Sequence, residues 1–91
     1  MENIYDWDSK KNEALTTTRG VSFEEVIFAI GNGDLLDIIE HPNQEKYGHQ
    51  KIYVVDLNGY VYLVPFVQDK NIIFLKTIIP SRKAQRKYLG S

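Results

Sequence analysis

The sequence predicts a single α+β domain over residues 1–91, with a small antiparallel, twisted sheet of three to four strands, two N-terminal helices and a short C-terminal helix. Two helical patterns come first along the chain, and the hydrophobic period then changes to runs rich in Val, Ile and Tyr. Short turn signals join these runs, which favours antiparallel hairpins. A chain of 91 residues is long enough for one hydrophobic core.

The first helix is expected over residues 8–18. Asp8 or Ser9 can cap its start, because a short side-chain oxygen accepts a hydrogen bond from an otherwise unpaired backbone N–H. Consecutive threonines weaken its end, since threonine is a poor helix former. Gly20 can take the left-handed conformation that often terminates a helix.

A capping box marks the start of the second helix. Ser22 stands at the N-cap with Glu25 three residues later, and Val21 and Val26 flank the cap as a hydrophobic staple. The apolar face of this helix is predicted to contain Phe23, Val26, Ile27 and Ile30. The Gly-Asn-Gly segment at 31–33 follows a helix, so it is interpreted as a C-terminal cap and not as a phosphate-binding loop.

Strand-like segments follow at residues 35–39, 51–57, 60–67 and 72–79, with a polar loop at 41–50. Asn58 and Gly59 suit the type I′ turn of a two-residue hairpin, because both positions of that turn need a positive φ. A second hairpin turns through residues 68–71. Pro65 has no N–H to donate, so an edge strand or a bulge is expected there. Pro80 is expected to end the last strand.

Charge is distributed unevenly along the chain. The formal net charge is −1, from eleven Lys and Arg against twelve Asp and Glu. Six of the basic residues and none of the acidic ones follow Asp69, which leaves five basic and twelve acidic residues, a net −7, up to that point. A final helix is expected over Arg82–Leu89, after a Ser81 cap. Its cations can attract a polyanion; alternatively, they only solvate the helix and complement its dipole.

Several classes of site are not expected. The chain has no cysteine, which excludes disulfides, thiolate metal sites and a thiol nucleophile. His41 and His49 share a loop with Glu40 and Glu45, but this spacing matches no zinc-ligand pattern, so neither a metal nor another cofactor is expected. No signal peptide is visible, and the longest apolar run, residues 61–67, is too short to span a bilayer. A soluble cytoplasmic protein without membrane contact is therefore expected.

The remaining polar residues indicate phosphate chemistry. Arg82, at a predicted helix N-terminus, can clamp phosphate oxygens. When a 2′-hydroxyl attacks the adjacent phosphorus of RNA, fixed cations can stabilise the charge that grows on the phosphoryl oxygens, without a metal. Lys76 and Lys51 are the candidates for this stabilisation. Tyr88 is the candidate for proton transfer or stacking, with a histidine of the 41–50 loop or a lysine of lowered pKa as alternatives.

Each of these residues also has an ordinary structural interpretation. Lys51 and Lys76 can be solvent-facing strand residues, and Tyr88 can pack its ring on the sheet. Trp7 can stack a nucleic-acid base, although a lone Trp before a helix more often anchors a core. The predicted RNA-binding residues around the catalytic set are Lys83, Arg86, Lys87, Lys46 and His49.

Two blocks of the sequence resemble a known family. Trp7 and Asp8, with Lys11 following, precede the segment Gly-Val-Ser-Phe-Glu-Glu at 20–25. Farther on, residues 78–84 read Ile-Ile-Pro-Ser-Arg-Lys-Ala. These blocks resemble the Trp-Asp-x-x-Lys and Gly-Val-Ser-Phe-Glu-Glu opening, and the later Ile-Ser-x-Arg-x-Ala segment, of the BrnT-type toxins.

The resemblance implies a bacterial type II toxin with a RelE-like fold, a metal-independent endoribonuclease encoded beside a cognate antitoxin. RNA, messenger RNA included, would be its substrate, and DNA would be contacted only indirectly through the antitoxin. Arg82 corresponds to the Arg of the family segment, and Tyr88 resembles the C-terminal Tyr of RelE-type toxins. An acidic or amphipathic antitoxin segment is expected to cover residues 82–87.

Two other functions compete with this interpretation. One is a non-catalytic RNA- or protein-binding module of the same fold, since losing one proton-transfer residue can silence an enzyme and leave its fold intact. The other is a DNA-binding regulator, which the net charge of −1 disfavours because such domains are usually basic.

Overall fold

The computed structural model, which describes residues 3–90, contains six strands and four helices in that part of the chain. In chain order they are β1 (Ile4–Asp6), α1 (Ser9–Arg19), α2 (Phe23–Gly31), β2 (Leu35–Glu40), α3 (Gln44–Tyr47), β3 (Lys51–Leu57), β4 (Tyr60–Asp69), β5 (Ile72–Leu75), β6 (Ile79–Pro80) and α4 (Arg82–Leu89). The predicted α+β class is confirmed. The predicted number of strands is wrong, because β1 is additional and the last predicted strand, residues 72–79, divides into β5 and β6.

The strands form one sheet in the order β1-β5-β4-β3-β2, and β6 also pairs with β4. All pairs are antiparallel except β1 with β5, which is parallel. The prediction of a purely antiparallel sheet is therefore wrong. The parallel pair is possible because everything from α1 to β4 lies between its two strands, and parallel strands need such a long connection.

Pro65 lies in a central strand, not at the edge of the sheet. It pairs with Ile52 of β3, and its carbonyl oxygen accepts a hydrogen bond of 2.8 Å from the backbone N–H of Lys76. The N and O atoms of a strand residue point to the same side, so the missing N–H of Pro65 faces the stretch between β5 and β6. The regular ladder is interrupted there, so the proline removes no ladder bond.

The predicted helix caps are confirmed. The Asp8 side chain accepts from the N–H of Lys10 at 2.8 Å, and Gly20 ends α1 with a φ of 68°. The hydroxyl of Ser22 accepts from the N–H of Glu25 at 3.2 Å. Only α3 was not expected, because this single turn inside the predicted polar loop has no apolar periodicity to reveal it.

One hydrogen-bonded contact between α1 and α2 cannot be predicted from local sequence. The Asn12 side chain accepts from the N–H of Phe23 at 2.8 Å and donates to Glu24 at 2.7 Å. It therefore satisfies one of the free N–H groups in the first turn of α2. The hydrogen bond to Asn12 is also the main cause of the lowered pKa of Glu24.

The main core lies between α1, α2 and one face of the sheet. Its buried residues are Leu15, Val21, Phe23, Val26, Ala29, Tyr53, Val55, Leu57, Val64, Phe66, Ile73, Leu75 and Ile78. Trp7 packs against this core, with its ring centroid 5.8 Å from that of Phe23. This position agrees with the interpretation of Trp7 as a core anchor.

The opposite face of the sheet carries a smaller apolar layer under α4. Val54, Val61 and Ala84 are buried in it, and Leu63 and Tyr88 pack against them. The predicted hairpin between β3 and β4 is confirmed, with a φ of 57° at Asn58 and 87° at Gly59. Within residues 3–90, none of the helices combines the length and the apolar character needed to cross a membrane.

Candidate nucleic-acid interface

The predicted basic helix, α4, lies on the sheet face opposite α1 and α2. Ser81 caps it by accepting from the N–H of Ala84 at 3.1 Å, and Gly90 ends it with a φ of 74°. Ala84 is buried against the sheet. The four cations of α4 are all exposed: Arg82, Lys83, Arg86 and Lys87. Residues four apart share a helix face, so the arginines form one stripe and the lysines another.

Gln85 holds α4 to the hairpin between β3 and β4. Its side-chain oxygen accepts from the N–H of Val61 at 2.7 Å, and its side-chain nitrogen donates to the carbonyl of Gly59 at 3.1 Å. Both bonds reach the backbone of a regular element or its turn. They therefore fix where α4 crosses the sheet.

Tyr88 holds the other end of α4. Its hydroxyl donates to a carboxylate oxygen of Asp37 at 2.7 Å. Asp37 lies at a register shift in β2, where its other oxygen accepts from the N–H of Ile38 at 2.8 Å. A bulge of this kind redirects a side chain. Asp37 was not among the site residues predicted from the sequence, although a single carboxylate in an otherwise apolar strand segment is a signal that could have indicated it.

The hydrogen bond between Tyr88 and Asp37 shifts the pKa values of the two side chains in opposite directions. The hydrogen bond from Tyr88, helped by the N–H of Ile38 and the charge of Lys87, lowers the pKa of Asp37 below its ordinary 3.8. The hydrogen bond to Asp37, with burial and the carboxylate charge, raises the pKa of Tyr88 above its ordinary 10.0. At neutral pH the pair is therefore an ionised carboxylate beside a neutral phenol.

A groove of about 310 Å³ runs between α4 and the β2–β3 part of the sheet. Its apolar lining consists of Ile39, Pro42, Ile52, Val54, Leu63 and Ala84. Ser81, Lys83, Lys87 and Tyr88 complete the wall on the α4 side. Two predicted RNA-binding lysines and the predicted catalytic tyrosine therefore share one groove.

Lys76 lies on the same side of the sheet as α4. Ile73 and Leu75 are buried in the main core, so Phe74 between them points to the opposite face, because side chains alternate along a strand. The Lys76 ammonium nitrogen lies 5.4 Å from the centroid of the Phe74 ring. Lys76 therefore adds an exposed cation to the face that carries Arg82.

Lys51 lies on the other side of the sheet. It is the register partner of Phe66, and directly paired residues point to the same face. Phe66 is buried in the main core, beneath α1 and α2. Lys51 and His49 line a separate cavity of about 310 Å³ with Phe66 and Gln68. The four predicted catalytic residues are therefore not brought together, since the sheet separates Lys51 from α4.

Lys46 is neither on α4 nor among the residues that line the cavity of Lys51 and His49. It lies on α3, with its ammonium nitrogen 5.2 Å from the centroid of the Tyr47 ring. The predicted RNA-binding residues thus divide into three on α4 and two, Lys46 and His49, in the segment between β2 and β3.

A further cavity, of about 470 Å³, is unsuited to a polyanion. Its lining includes four carboxylates, from Glu24, Glu25, Asp34 and Asp56, and the exposed ring of Phe28. Carboxylates repel phosphate, so we place no nucleic-acid contact there. In the described part of the chain, no group of three or more His, Cys, Asp or Glu side chains is arranged to hold a metal ion.

Comparison with known proteins gave no identification, because no family model and no curated protein matches this sequence.

Proposed function

We propose that this chain is the toxin of a toxin–antitoxin pair, a cytoplasmic, metal-independent endoribonuclease that its cognate antitoxin holds inactive. The sequence resemblance to BrnT-type toxins motivates the class. The observation that carries the chemistry is the position of the Tyr88–Asp37 pair beside Lys83 and Lys87 of α4. In this proposal DNA is contacted only through the antitoxin.

The reaction needs a proton acceptor, a proton donor and cations around one phosphate. The RNA 2′-oxygen attacks the adjacent phosphorus and loses its proton, and the 5′-oxygen of the next nucleotide leaves and gains one. In our proposal the Asp37 carboxylate is the acceptor and the Tyr88 phenol is the donor. Arg82 binds the phosphate, and Lys76 stabilises the charge on its oxygens. Lys51 lies outside this arrangement.

The other cations of α4 position the substrate. Lys83 and Lys87 flank Tyr88 at the groove, and Arg86 follows Arg82 on the outer stripe of the helix. Cations along a backbone track bind successive phosphates and supply affinity without sequence preference. We therefore assign these three residues to holding RNA on either side of the cleaved bond.

A non-catalytic RNA- or protein-binding module is the second candidate. Two observations favour it: Lys51 is separated from α4 by the sheet, and the lowered pKa of Asp37 makes that carboxylate a weak base. A module of this kind would use the same cations of α4 to hold RNA, without cleavage.

Cleavage in the absence of metal separates the two candidates. Incubation of a mixed-sequence RNA with the protein in excess EDTA is expected to give 5′ fragments that end in a 2′,3′-cyclic phosphate or a 3′-phosphate, because the 2′-oxygen is the nucleophile. The readout is end-group analysis of the fragments. Activity that disappears with EDTA contradicts the mechanism. Binding without cleavage, free and with ribosomes, supports the non-catalytic module.

Replacing Tyr88 with phenylalanine separates proton transfer from stacking. The ring remains, so RNA binding is expected to persist, whereas cleavage is expected to fall because the donor is lost. Without the phenol, the pKa of Asp37 is expected to rise toward its ordinary 3.8. The measurements are RNA affinity, cleavage rate and an NMR titration of the Asp37 carboxyl carbon. An unchanged titration would show that the two side chains do not interact in solution.

The pH range of the Tyr88–Asp37 contact follows from the same two shifts. The lowered pKa of Asp37 means that its stabilisation is present above the ordinary 3.8 and is lost as the pH falls through the folded-state value. The raised pKa of Tyr88 means that its stabilisation is present below 10.0 and is lost as the pH rises through its folded-state value. The contact is therefore intact throughout the physiological range.

A further inference from the structure

We propose that the exposed side of α2 binds α4 of a second copy of this chain, so that copies associate head to tail. The docking surface on α2, called the Phe28 surface, consists of the Phe28 ring and the carboxylates around it, Glu24, Glu25, Asp34 and Asp56. The opposing surface is the arginine stripe of α4. The inference goes beyond the proposed function and does not depend on it, because self-association is measured without RNA.

Phe28 is an apolar side chain without cover in its own chain. Its exposed fraction, 70%, is the highest among the large hydrophobic residues in the described part of the chain. The opposite side of α2 packs on the sheet through Phe23, Val26 and Ala29. One exposed ring is ordinary on a protein surface, but Phe28 also lines a cavity of about 470 Å³ that is open to the side chains of a partner. Contact with such a partner would remove the ring from water.

The charge of this cavity favours a cationic occupant. Four of its nine lining residues carry carboxylates and none of the nine is basic. The hydrogen bonds that Glu24 and Asp56 accept come from uncharged donors, the Asn12 side chain and the N–H of Gly59, both at 2.7 Å. These bonds leave the net negative charge of the cavity uncompensated, so a surface of complementary charge would be attracted to it.

The C-terminal end of the same chain provides the complementary charge. The chain carries a net −7 up to Asp69, and six basic residues and no acidic ones after it. Arg82 and Arg86 form the outer stripe of α4, are both exposed and do not line the groove beside this helix. A guanidinium pairs with carboxylates through two parallel hydrogen bonds and also stacks on aromatic rings. A ring surrounded by carboxylates therefore suits these arginines, and a second copy is the partner that the charge distribution favours.

The helix α4 does not meet the Phe28 surface of its own chain. The main core places α2 on one face of the sheet and the smaller apolar layer places α4 on the other, and the two hydrogen bonds of Gln85 hold α4 in position. The contact must therefore form between two copies. It joins two different surfaces, so each end of a pair retains one free surface to which another copy can add.

Sedimentation equilibrium of the whole protein tests the self-association. At an ionic strength of about 0.01 M, the mass is expected to rise with concentration beyond that of two copies. At about 1 M the same samples are expected to move toward the monomer mass, because the Debye length shortens from about 30 Å to about 3 Å. A protein that remains monomeric at low salt and high concentration, or whose assembly is insensitive to salt, overturns the proposal.

Two double variants with neutral replacements locate the contact. One changes the docking surface, by Phe28→Ser with Asp34→Asn. The other changes the arginine stripe, by Arg82→Gln with Arg86→Gln. Each variant alone is expected to associate at least about tenfold more weakly than the unsubstituted protein. An equimolar mixture retains one intact surface of each kind, so it is expected to form pairs that do not extend. A mixture that stays monomeric, or that grows beyond two copies, contradicts the proposed contact.

NMR spectroscopy shows whether the pairs form through these surfaces. In the mixture, the isotope-labelled docking-surface variant is expected to show amide shifts in α4, and the labelled arginine variant is expected to show them in α2. The spectrum of each variant alone shows whether it is folded. If either variant fails to fold, the labelled unsubstituted protein decides: concentration-dependent shifts in both helices support the proposal, and their absence from either helix refutes it.

A matched pair of lysines separates this contact from a general effect of charge. Lys46 and Lys51 are exposed and belong neither to the Phe28 surface nor to α4. The double variant Lys46→Gln with Lys51→Gln removes the same charge as the arginine variant, and it is expected to leave self-association unchanged. A loss equal to that of the arginine variant would overturn the proposal, because net charge alone would then explain the association.

Discussion

Replacing Arg82 with alanine is expected to reduce the rate of RNA cleavage by about 10²–10³, which corresponds to roughly 3–4 kcal/mol of transition-state stabilisation. The guanidinium lies in the first turn of α4, where in the proposed reaction it would offer two parallel donors to phosphate oxygens. In that reaction the charge on those oxygens grows as the 2′-oxygen attacks. An interaction that strengthens in this way contributes to the rate more than to substrate binding.

The fold of the Arg82→Ala variant is expected to be unaffected. Arg82 is exposed, and exposed substitutions away from caps and cores usually change stability by about 0.5 kcal/mol or less. The measurements are kcat/KM for RNA and the thermal unfolding midpoint. Lys10→Ala is the matched control, because it removes one exposed cation on the far side of the sheet. A rate for Arg82→Ala equal to that of this control contradicts the role of Arg82.

The elements that the sequence predicted well are those that local chemistry determines. Ser22 and Glu25 form a cap within one helical turn, and the Asn58–Gly59 turn has the positive φ values that only a few residue types tolerate. These signals require no knowledge of distant parts of the chain. The core face of α2 was predictable for the same reason, because Phe23 and Val26 repeat at helical spacing.

The errors in the fold concern contacts between distant residues. Strand β1 has only three residues, too few to show a period, and it becomes a strand by pairing in parallel with β5. The last predicted strand divides into β5 and β6, which both pair with β4 on either side of an interruption near Pro65. Sequence periodicity does not report which distant segments pair.

Neither the separation of Lys51 from α4 nor the contact between Asp37 and Tyr88 could be predicted from the sequence. Both alternating sets of residues along β3 include buried side chains, so the parity of Lys51 does not reveal which face carries α4. The contact between Asp37 and Tyr88 depends on the register shift in β2, and 51 positions separate the two residues. The catalytic assignments remain predictions that the kinetic variants test.

Replacing Phe23 with alanine is expected to lower the free energy of unfolding by about 3–5 kcal/mol, a large part of the stability of a small domain. Phe23 is completely buried, and its ring packs 5.8 Å from that of Trp7, centroid to centroid. Removal of the ring loses its apolar burial and leaves a cavity between α2 and the sheet. The backbone hydrogen bond from Phe23 to Asn12 does not involve the ring and should persist.

Phe28→Ala on the same helix is the matched control for this prediction. Phe28 is 70% exposed, so its removal is expected to change stability by about 0.5 kcal/mol or less. Both changes replace phenylalanine by alanine on the same helix, so the difference between the two stability losses reports mainly the burial of Phe23. The measurement is urea unfolding followed by circular dichroism, with unchanged slopes required for a direct comparison. Similar losses for the two variants would show that α2 does not pack on the sheet through Phe23.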